Sequence, residues 1–409
     1  MENTMCRLEK TRSGHFTLKY YGKYIHSKYD PIREAMQFSE SNIKLLNQDK
    51  LLVYGIGLGY HIVEILKHTK ATIYVFEWNE KLIKYCKEVH NDIFENNKVR
   101  VVDKSNKDFY KLLSKTLEEV KDLLIHKPSL ETIKQENEEL YNLLNDFSIK
   151  KQLVKINENS NKKYEENYKA NMKIKYNNII EFINKIKNKN KTIIITAAGP
   201  SLDNELDILK KNREKFTVFT VGSALRTIIE NEIYPDAIFI IDGEKEIENQ
   251  FIGFENLNIP LCFSAYASKE AVKIYNGHKY IFNDKNEGGK ITTGGTVAVA
   301  ALDIATKCLP KEIVFLGQDL ALIEGKNHTK FYGKMHTDKK ENQYKLIDVP
   351  GVNGGMVKTI QSYILFKNAI ERVIKYNKNI RFINCSKGAL IKGTENSSLK
   401  MYINDELSS

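Results

Sequence analysis

Thr192-Ile193-Ile194-Ile195-Thr196-Ala197-Ala198-Gly199-Pro200-Ser201-Leu202 reads as a buried strand that runs into a tight turn and opens a helix. The run of β-branched residues favours an extended, covered segment, and Gly-Pro ends it. Backbone N–H groups at a helix start have no intrahelical partner, and the helix dipole is positive there. Such a turn can therefore hold a phosphate or carboxylate with few charged side chains. Ser201 is a plausible N-cap. Asp203, Glu205 and Asp207 oppose an anion by satisfying the same dipole. An ordinary strand-to-helix turn has the same pattern, so this one gains meaning only from its neighbours.

Downstream of Lys191, strand and helix signals alternate in four units, which predicts a mainly parallel sheet with helices on both faces. Ligands of such sheets gather at the strand C-termini. That rule selects Ala198 to Ser201, Gly222-Ser223, Asp242-Gly243, Thr292 to Thr296, and Gly317-Gln318-Asp319. The apolar strand Phe216 to Val221 closes on Gly222-Ser223, and Ala237 to Ile241 closes on Asp242. A hydroxyl and a carboxylate at those places suit ribose or base edges, although a turn residue or helix cap explains Asp242 equally well. Thr292-Thr293-Gly294-Gly295-Thr296 precedes the small-residue helix Val297 to Cys308 and forms a second candidate anion turn. Two such turns in one sheet can be bridged by one phosphorylated ligand. After Asp319, a long polar stretch from Glu324 to Gly355 carries His328, Tyr332 and His336 and reads as a lid or a disordered segment. An imidazole there is suited to take a proton from a hydroxyl near neutral pH.

Upstream, Leu51-Leu52-Val53-Tyr54-Gly55-Ile56-Gly57-Leu58-Gly59-Tyr60-His61 has the form strand, glycine turn, helix, and a second strand ends at Glu77. This is a Rossmann-like opening with GxGxG rather than GxGxxG spacing. It is chemically compatible with a dinucleotide or S-adenosylmethionine on Gly55, Gly57, Gly59 and Glu77, or with a nucleotide-type fold kept as scaffold. From Asp108 to about Asn190 the chain is charged and helix-favouring, with Pro128 as its one proline. The stripe Leu112, Leu113, Leu117 and Val120 suits helix packing. Lys162 to Lys191, rich in Lys and Asn with Tyr164, Tyr168 and Tyr176, reads as a solvated helical surface rather than a nucleic-acid face. The expected organisation is a Rossmann-like domain at 1–107, a helical connector at 108–190 and a catalytic α/β domain at 191–409.

The 409 residues carry 63 Lys and Arg against 52 Asp and Glu, a net charge of +11 that favours anionic ligands. The five cysteines have no CxxC spacing, so neither a zinc site nor a disulfide framework is readable. No metal is expected. The first thirty residues lack an apolar h-region, and no run approaches the roughly 18 apolar residues of a membrane span. A soluble, cytoplasmic protein without a membrane span is expected.

Ala198-Gly199-Pro200-Ser201-Leu202, Gly222-Ser223-Ala224-Leu225, Tyr234-Pro235-Asp236, Gly294-Gly295-Thr296-Val297-Ala298 and Gly317-Gln318-Asp319-Leu320 together resemble the motility-associated factor (Maf) family of flagellin glycosyltransferases, within a superfamily similar to 6-hydroxymethylpterin pyrophosphokinase. The resemblance continues through Gly325-Lys326-Asn327-His328, Val349-Pro350-Gly351, Asn384 to Gly393, His26 to Pro31 and Gly55 to His61. It implies transfer of a pseudaminic- or legionaminic-type nonulosonic acid from a CMP-activated donor to Ser or Thr of flagellin, with no further cofactor. The catalytic domain is also similar to bacterial sialyltransferases. By that similarity Gly199, Pro200 and Ser201 approach the donor phosphate, Ser223 and Asp242 the nucleotide side, and Thr293, Gly295 and Thr296 the cytidine or carboxylate, with Gly222, Gly294 and Gln318 completing the expected donor-binding set. Ala198 stands where those enzymes carry Asn, and Gly294 where they carry Ser. Neither Ala321 nor Leu322 supplies the tyrosine expected after the Asp-containing strand end, and Tyr332 is the candidate substitute. His328 is assigned as base, with His336 next, and Asp319 joins the catalytic set. The rival expectations are an ATP-dependent pyrophosphokinase with Mg²⁺ on Asp242, Asp319 and Glu324, a non-catalytic flagellin-binding adaptor, and a methyltransferase on the N-terminal turn. Flagellin is the expected partner, nucleic acid is not, and an oligomer is allowed.

Overall fold

The computed structural model describes residues 6–120, 122–156, 158–187, 192–283, 290–326, 328–330 and 346–407. The chain divides into two compact units, Met1–Gln152 and Leu153–Ser409. The first begins with three antiparallel strands, β1 (Cys6–Lys10), β2 (Phe16–Tyr20) and β3 (Lys23–Tyr24), and then α1 (Pro31–Ser41). Asp30 caps α1 by accepting from the N–H groups of Ile32 and Arg33, and Pro31 occupies the first turn. The Rossmann-like core follows as β4 (Lys50–Tyr54), α2 (Tyr60–His68), β5 (Thr72–Glu77), α3 (Glu80–Val89), α4 (Asp92–Glu95), β6 (Val99–Asp103), α5 (Phe109–Glu119), β7 (Leu123–Ile125), α6 (Lys127–Glu131) and α7 (Glu138–Ile156). Its parallel sheet has the order β6-β5-β4-β7. The order reverses between β4 and β7, which is where open α/β sheets place ligands.

The division between units falls within α7, so the expected connector is shared out. Its first part supplies α5, β7 and α6 to the N-terminal sheet, and its last part supplies α8 (Glu158–Met172), β8 (Asn177–Asn178) and α9 (Ile179–Ile186) to the second unit. Leu123 and Leu124 of β7 are buried against β4, although the strand is only three residues long among charged neighbours.

The second unit continues with β9 (Thr192–Thr196), α10 (Leu206–Lys211), β10 (Thr217–Val221), α11 (Gly222–Glu230), β11 (Ala237–Ile240), β12 (Leu261–Ser264), α12 (Lys269–Ile274), β13 (Lys279–Phe282), α13 (Val297–Lys307), β14 (Glu312–Leu316), β15 (Ile347–Pro350), β16 (Met356–Thr359), α14 (Gln361–Tyr376), β17 (Arg381–Asn384), β18 (Glu395–Asn396) and α15 (Leu399–Leu407). Nine strands form one sheet, β18-β17-β14-β9-β10-β11-β12-β13-β8, in which every pairing is parallel. β9, β10 and β14 are buried at every residue, as expected of central parallel strands covered on both faces. The sheet extends from β9 to one side through β10 to β13, then returns to β9's other side with β14. Its switch point is therefore the β9–β14 crevice, which receives the Gly-Pro-Ser turn and Gly317-Gln318-Asp319.

Glu77, wholly buried at the end of β5, ties the first sheet to its glycine turn by accepting from Ile56 N (3.0 Å) and Asn79 N (2.9 Å). Burial pushes its carboxyl up to about 8, against the pull of the Asn79, Ile56 and Trp78 N–H groups. A carboxyl whose folded pKa lies above its unfolded value of 4.5 holds its proton more tightly when folded. The folded form therefore loses relative stability as pH rises from about 4.5 to about 8. Trp78, the one tryptophan, reports this unit. Its fluorescence-monitored urea midpoint is expected to fall between pH 5 and pH 8, and Glu77→Gln is expected to flatten that slope.

Candidate functional site

Ser201 N donates to Asp319 Oδ2 (2.9 Å) across the switch point, and the buried Ser201 hydroxyl lies against the same carboxylate. Asp319 Oδ1 accepts from Lys387 N (3.0 Å), and its main-chain oxygen from Ala389 N (2.8 Å). Gly199 N donates to Gly317 O (2.8 Å), and Gln318 N to Ser386 Oγ (2.7 Å). One buried carboxylate thus fastens the ends of β9, β14 and β17 together. Burial raises its pKa, while the Ser201 and Lys387 donors pull the other way.

This changes two expected roles. The Ser201 amide is not free for a phosphate, because Asp319 already occupies that donor. Asp319 itself, 2% exposed with both oxygens engaged by main-chain N–H groups, positions the turns rather than meeting substrate. For the same reason it is a poor Mg²⁺ ligand.

The donors that remain at this edge are two helix starts. α11 opens directly from β10 with Gly222 and Ser223, and α13 opens at Val297 after Thr293-Gly294-Gly295-Thr296; neither has a side-chain cap or an acid in its first turn. Gly294 and Gly295 hold left-handed backbone, with φ of +54° and +83°. Val297 packs against the cluster that contains Ala197, Ala198, Leu202 and Val221, so the start of α13 stands beside both the Gly-Pro-Ser turn and the end of β10. Ser223, Thr293 and Thr296 are partly exposed there, and Gly199 and Pro200 form the rim. Gln318 is buried with its Oε1 unpartnered. Exposed Lys387 supplies the nearby cation that also acts on Asp319.

His328 is half-buried at the same edge. Its neighbour Thr329 donates N–H to Ala198 O (2.8 Å) and pairs its hydroxyl with Thr227 of α11 (2.9 Å), while Lys330 N reaches Asp203 (3.2 Å). The start of the expected lid is therefore pinned to the Gly-Pro-Ser turn. Tyr332 and His336 lie outside the described residues. Asp242 is at the same sheet edge, two strands beyond β9, exposed and accepting from Glu244 N (3.0 Å).

The Lys/Asn-rich helix α8 is a contributor that sequence reasoning assigned to solvent. Tyr164, Asn167, Tyr168 and Asn171 share one helical face, and that face meets strand ends. Asn167 Nδ2 donates to Gly243 O (2.8 Å), Asn171 Nδ2 to Ala265 O (3.1 Å) and Ala267 O (2.8 Å), and Tyr168 stacks on Tyr266. Burial, then the Asp242 carboxylate, raises Tyr164 to about 12. Asn171→Ala strands two buried carbonyls and is expected to cost about 2–4 kcal/mol in urea unfolding.

In the first unit, the glycine turn is filled by its own protein. Ile56 N, Gly57 N and Leu58 N donate in succession to Glu77, Ser129 Oγ (3.1 Å) and His26 Nε2 (2.9 Å). The methyltransferase expectation needs these amides and the Glu77 carboxylate for a cofactor, and all are taken.

Residues 162–325 match the family model described as 6-hydroxymethylpterin diphosphokinase MptE-like. Among solved structures, the Maf glycosyltransferase from Magnetospirillum magneticum AMB-1 is similar with a TM-score of 0.51 at 12% identity, over 98% of this chain and 73% of that one. No curated protein matches. Residues 162–325 are thus similar to the MptE-like family, and the fold of the chain is similar to that of the Maf glycosyltransferase.

Proposed function

We propose that this chain is a glycosyltransferase that moves a nonulosonic acid, pseudaminic- or legionaminic-type, from a CMP-activated donor to Ser or Thr hydroxyls of flagellin in the cytoplasm. The observation that carries the reading is the convergence at the β9–β14 switch point: two uncapped helix starts, a glycine turn and the anchored His328 segment share one sheet edge. The Maf fold and the net charge of +11 support it.

In this reading His328 takes the acceptor hydroxyl proton. The acceptor oxygen bonds to the anomeric carbon as the bond from that carbon to the CMP phosphate oxygen breaks, with the electron pair leaving on CMP. The starts of α11 and α13, with Lys387, offset the growing charge without rearranging, which is where most of the rate enhancement arises. No separate cofactor is required. The diphosphokinase reading draws on the family description of residues 162–325, but one of its three expected Mg²⁺ carboxylates, Asp319, is committed to main-chain donors.

Intact-mass measurement of flagellin incubated with the purified chain and a CMP-nonulosonate is expected to show whole-sugar increments. An unchanged flagellin mass, with donor binding intact, would overturn the acceptor assignment and favour an adaptor.

A further inference from the structure

We infer that the first unit holds a binding site for a transition-metal ion, built from His26, His61 and His126. These residues come from three separate places: the segment after β3, the first turn of α2, and the end of β7. They meet at the β4–β7 switch point, the position at which an open parallel sheet takes a ligand. One ring nitrogen of each lies within 4.8 Å of the other two, and all three side chains are buried. Gly57 makes the room: a Cβ there would stand 2.5 Å from His26 Nε2 and 3.1 Å from His126 Cε1.

Two of the nitrogens have no partner, while His26 Nε2 accepts from Leu58 N (2.9 Å) and would give up that bond to serve as a ligand. His61 Nε2 donates to Gly55 O (2.9 Å), which leaves Nδ1 as an acceptor lone pair, and that atom is unpartnered. His126 Nδ1 meets Ser129 Oγ (2.8 Å), and its Nε2 is unpartnered. Their residues are 2% and 4% exposed. A buried polar atom left without a bond is destabilising, so the arrangement is incomplete as an apolar core. The hydrogen bond from His61 to a main-chain carbonyl is the kind that orients a metal-ligating imidazole.

A metal takes imidazole in its neutral form. Imidazole ligands select Zn²⁺, Co²⁺, Ni²⁺ or Cu²⁺ over Mg²⁺ and Ca²⁺, which prefer oxygen. The His61 and His126 rings lie 4.4 Å apart and 12° from parallel. Tetrahedral zinc with Zn–N near 2.0–2.1 Å needs nitrogens about 3.3 Å apart, so loading tilts these rings toward each other. The ion would staple the segment after β3 to the glycine turn and β7.

The full chain, stripped with chelator, is titrated with Co²⁺ and with Zn²⁺. One equivalent of Co²⁺ is expected to bind with visible absorption bands of a nitrogen-rich site, Zn²⁺ is expected to displace it and raise the Trp78 unfolding midpoint, and Mg²⁺ to do neither. His61→Asn and His126→Asn, checked by circular dichroism, are expected to weaken binding about tenfold or more. Should either variant unfold, paramagnetically shifted imidazole N–H resonances in the Co²⁺-loaded wild type supply the readout. Absence of stoichiometric binding by the wild type, unshifted imidazole resonances, or unchanged binding in the folded variants would overturn the inference.

Discussion

His328→Ala is expected to lower sugar transfer by about 10²–10⁴-fold, the usual effect of removing a positioned general base, with CMP affinity nearly unchanged. The two halves of that expectation have separate origins. In the proposed reading the nucleotide is held by the starts of α11 and α13 and by the glycine turns, none of which uses the imidazole. The proton transfer depends on a group at the acceptor side of the crevice. His328 is held at this sheet edge because Thr329 is fixed twice, to Ala198 O and to the Thr227 hydroxyl, and the proposal gives it the acceptor side. Measuring kcat and CMP affinity side by side checks the split. Retained activity would remove His328 from the role and pass it to His336. Loss of nucleotide affinity would instead make His328 a donor-binding residue.

Gly199→Ala is expected to cost about 2–5 kcal/mol of stability and to abolish CMP binding, combining overpacking with the loss of hydrogen bonds across the crevice. Backbone conformation is not the reason, since Gly199 has φ of −69° and ψ of 154°, open to any residue. The reason is space: a Cβ there would fall on the Gly317 carbonyl oxygen and the Asp319 carboxylate. The methyl group would drive apart the strand ends that the Ser201–Asp319 and Gly199–Gly317 bonds hold together. Gly295→Ala makes the opposite case. Its site is open, with φ of +83°, so only backbone strain of about 1 kcal/mol is added. Urea unfolding of both variants, with CMP titration, separates close approach from turn conformation. Equal effects would refute the packing explanation.

The central strands were legible because Thr192 to Thr196 and Ile313 to Leu316 are uninterrupted apolar or β-branched runs between turn signals, the pattern that double-sided burial imposes. The glycine turns at their ends were legible for the same reason. Partner choice within those turns was not. Nothing in local spacing says that Asp319 spends its carboxylate on Ser201 and Lys387, which lie 118 and 68 residues away. β7 was missed because three buried residues among charges give no periodicity. The inward face of α8 was missed because its contacts are made by Asn and Tyr, so a search for apolar spacing passes over a face that works by hydrogen bonding and stacking. In the first unit the Gly55 to Gly59 turn was visible, but its own histidines and Glu77 fill the place that the motif leaves for a ligand.

The central claim is that the carboxyl edge around β9 and β14 is a cytidylate site. Isothermal titration of the full chain with CMP, without divalent metal, tests it against ATP with Mg²⁺. Saturable one-to-one CMP binding that Gly199→Ala eliminates and Gly295→Ala retains is the predicted result. Binding of ATP only in the presence of Mg²⁺, with CMP silent, would contradict it.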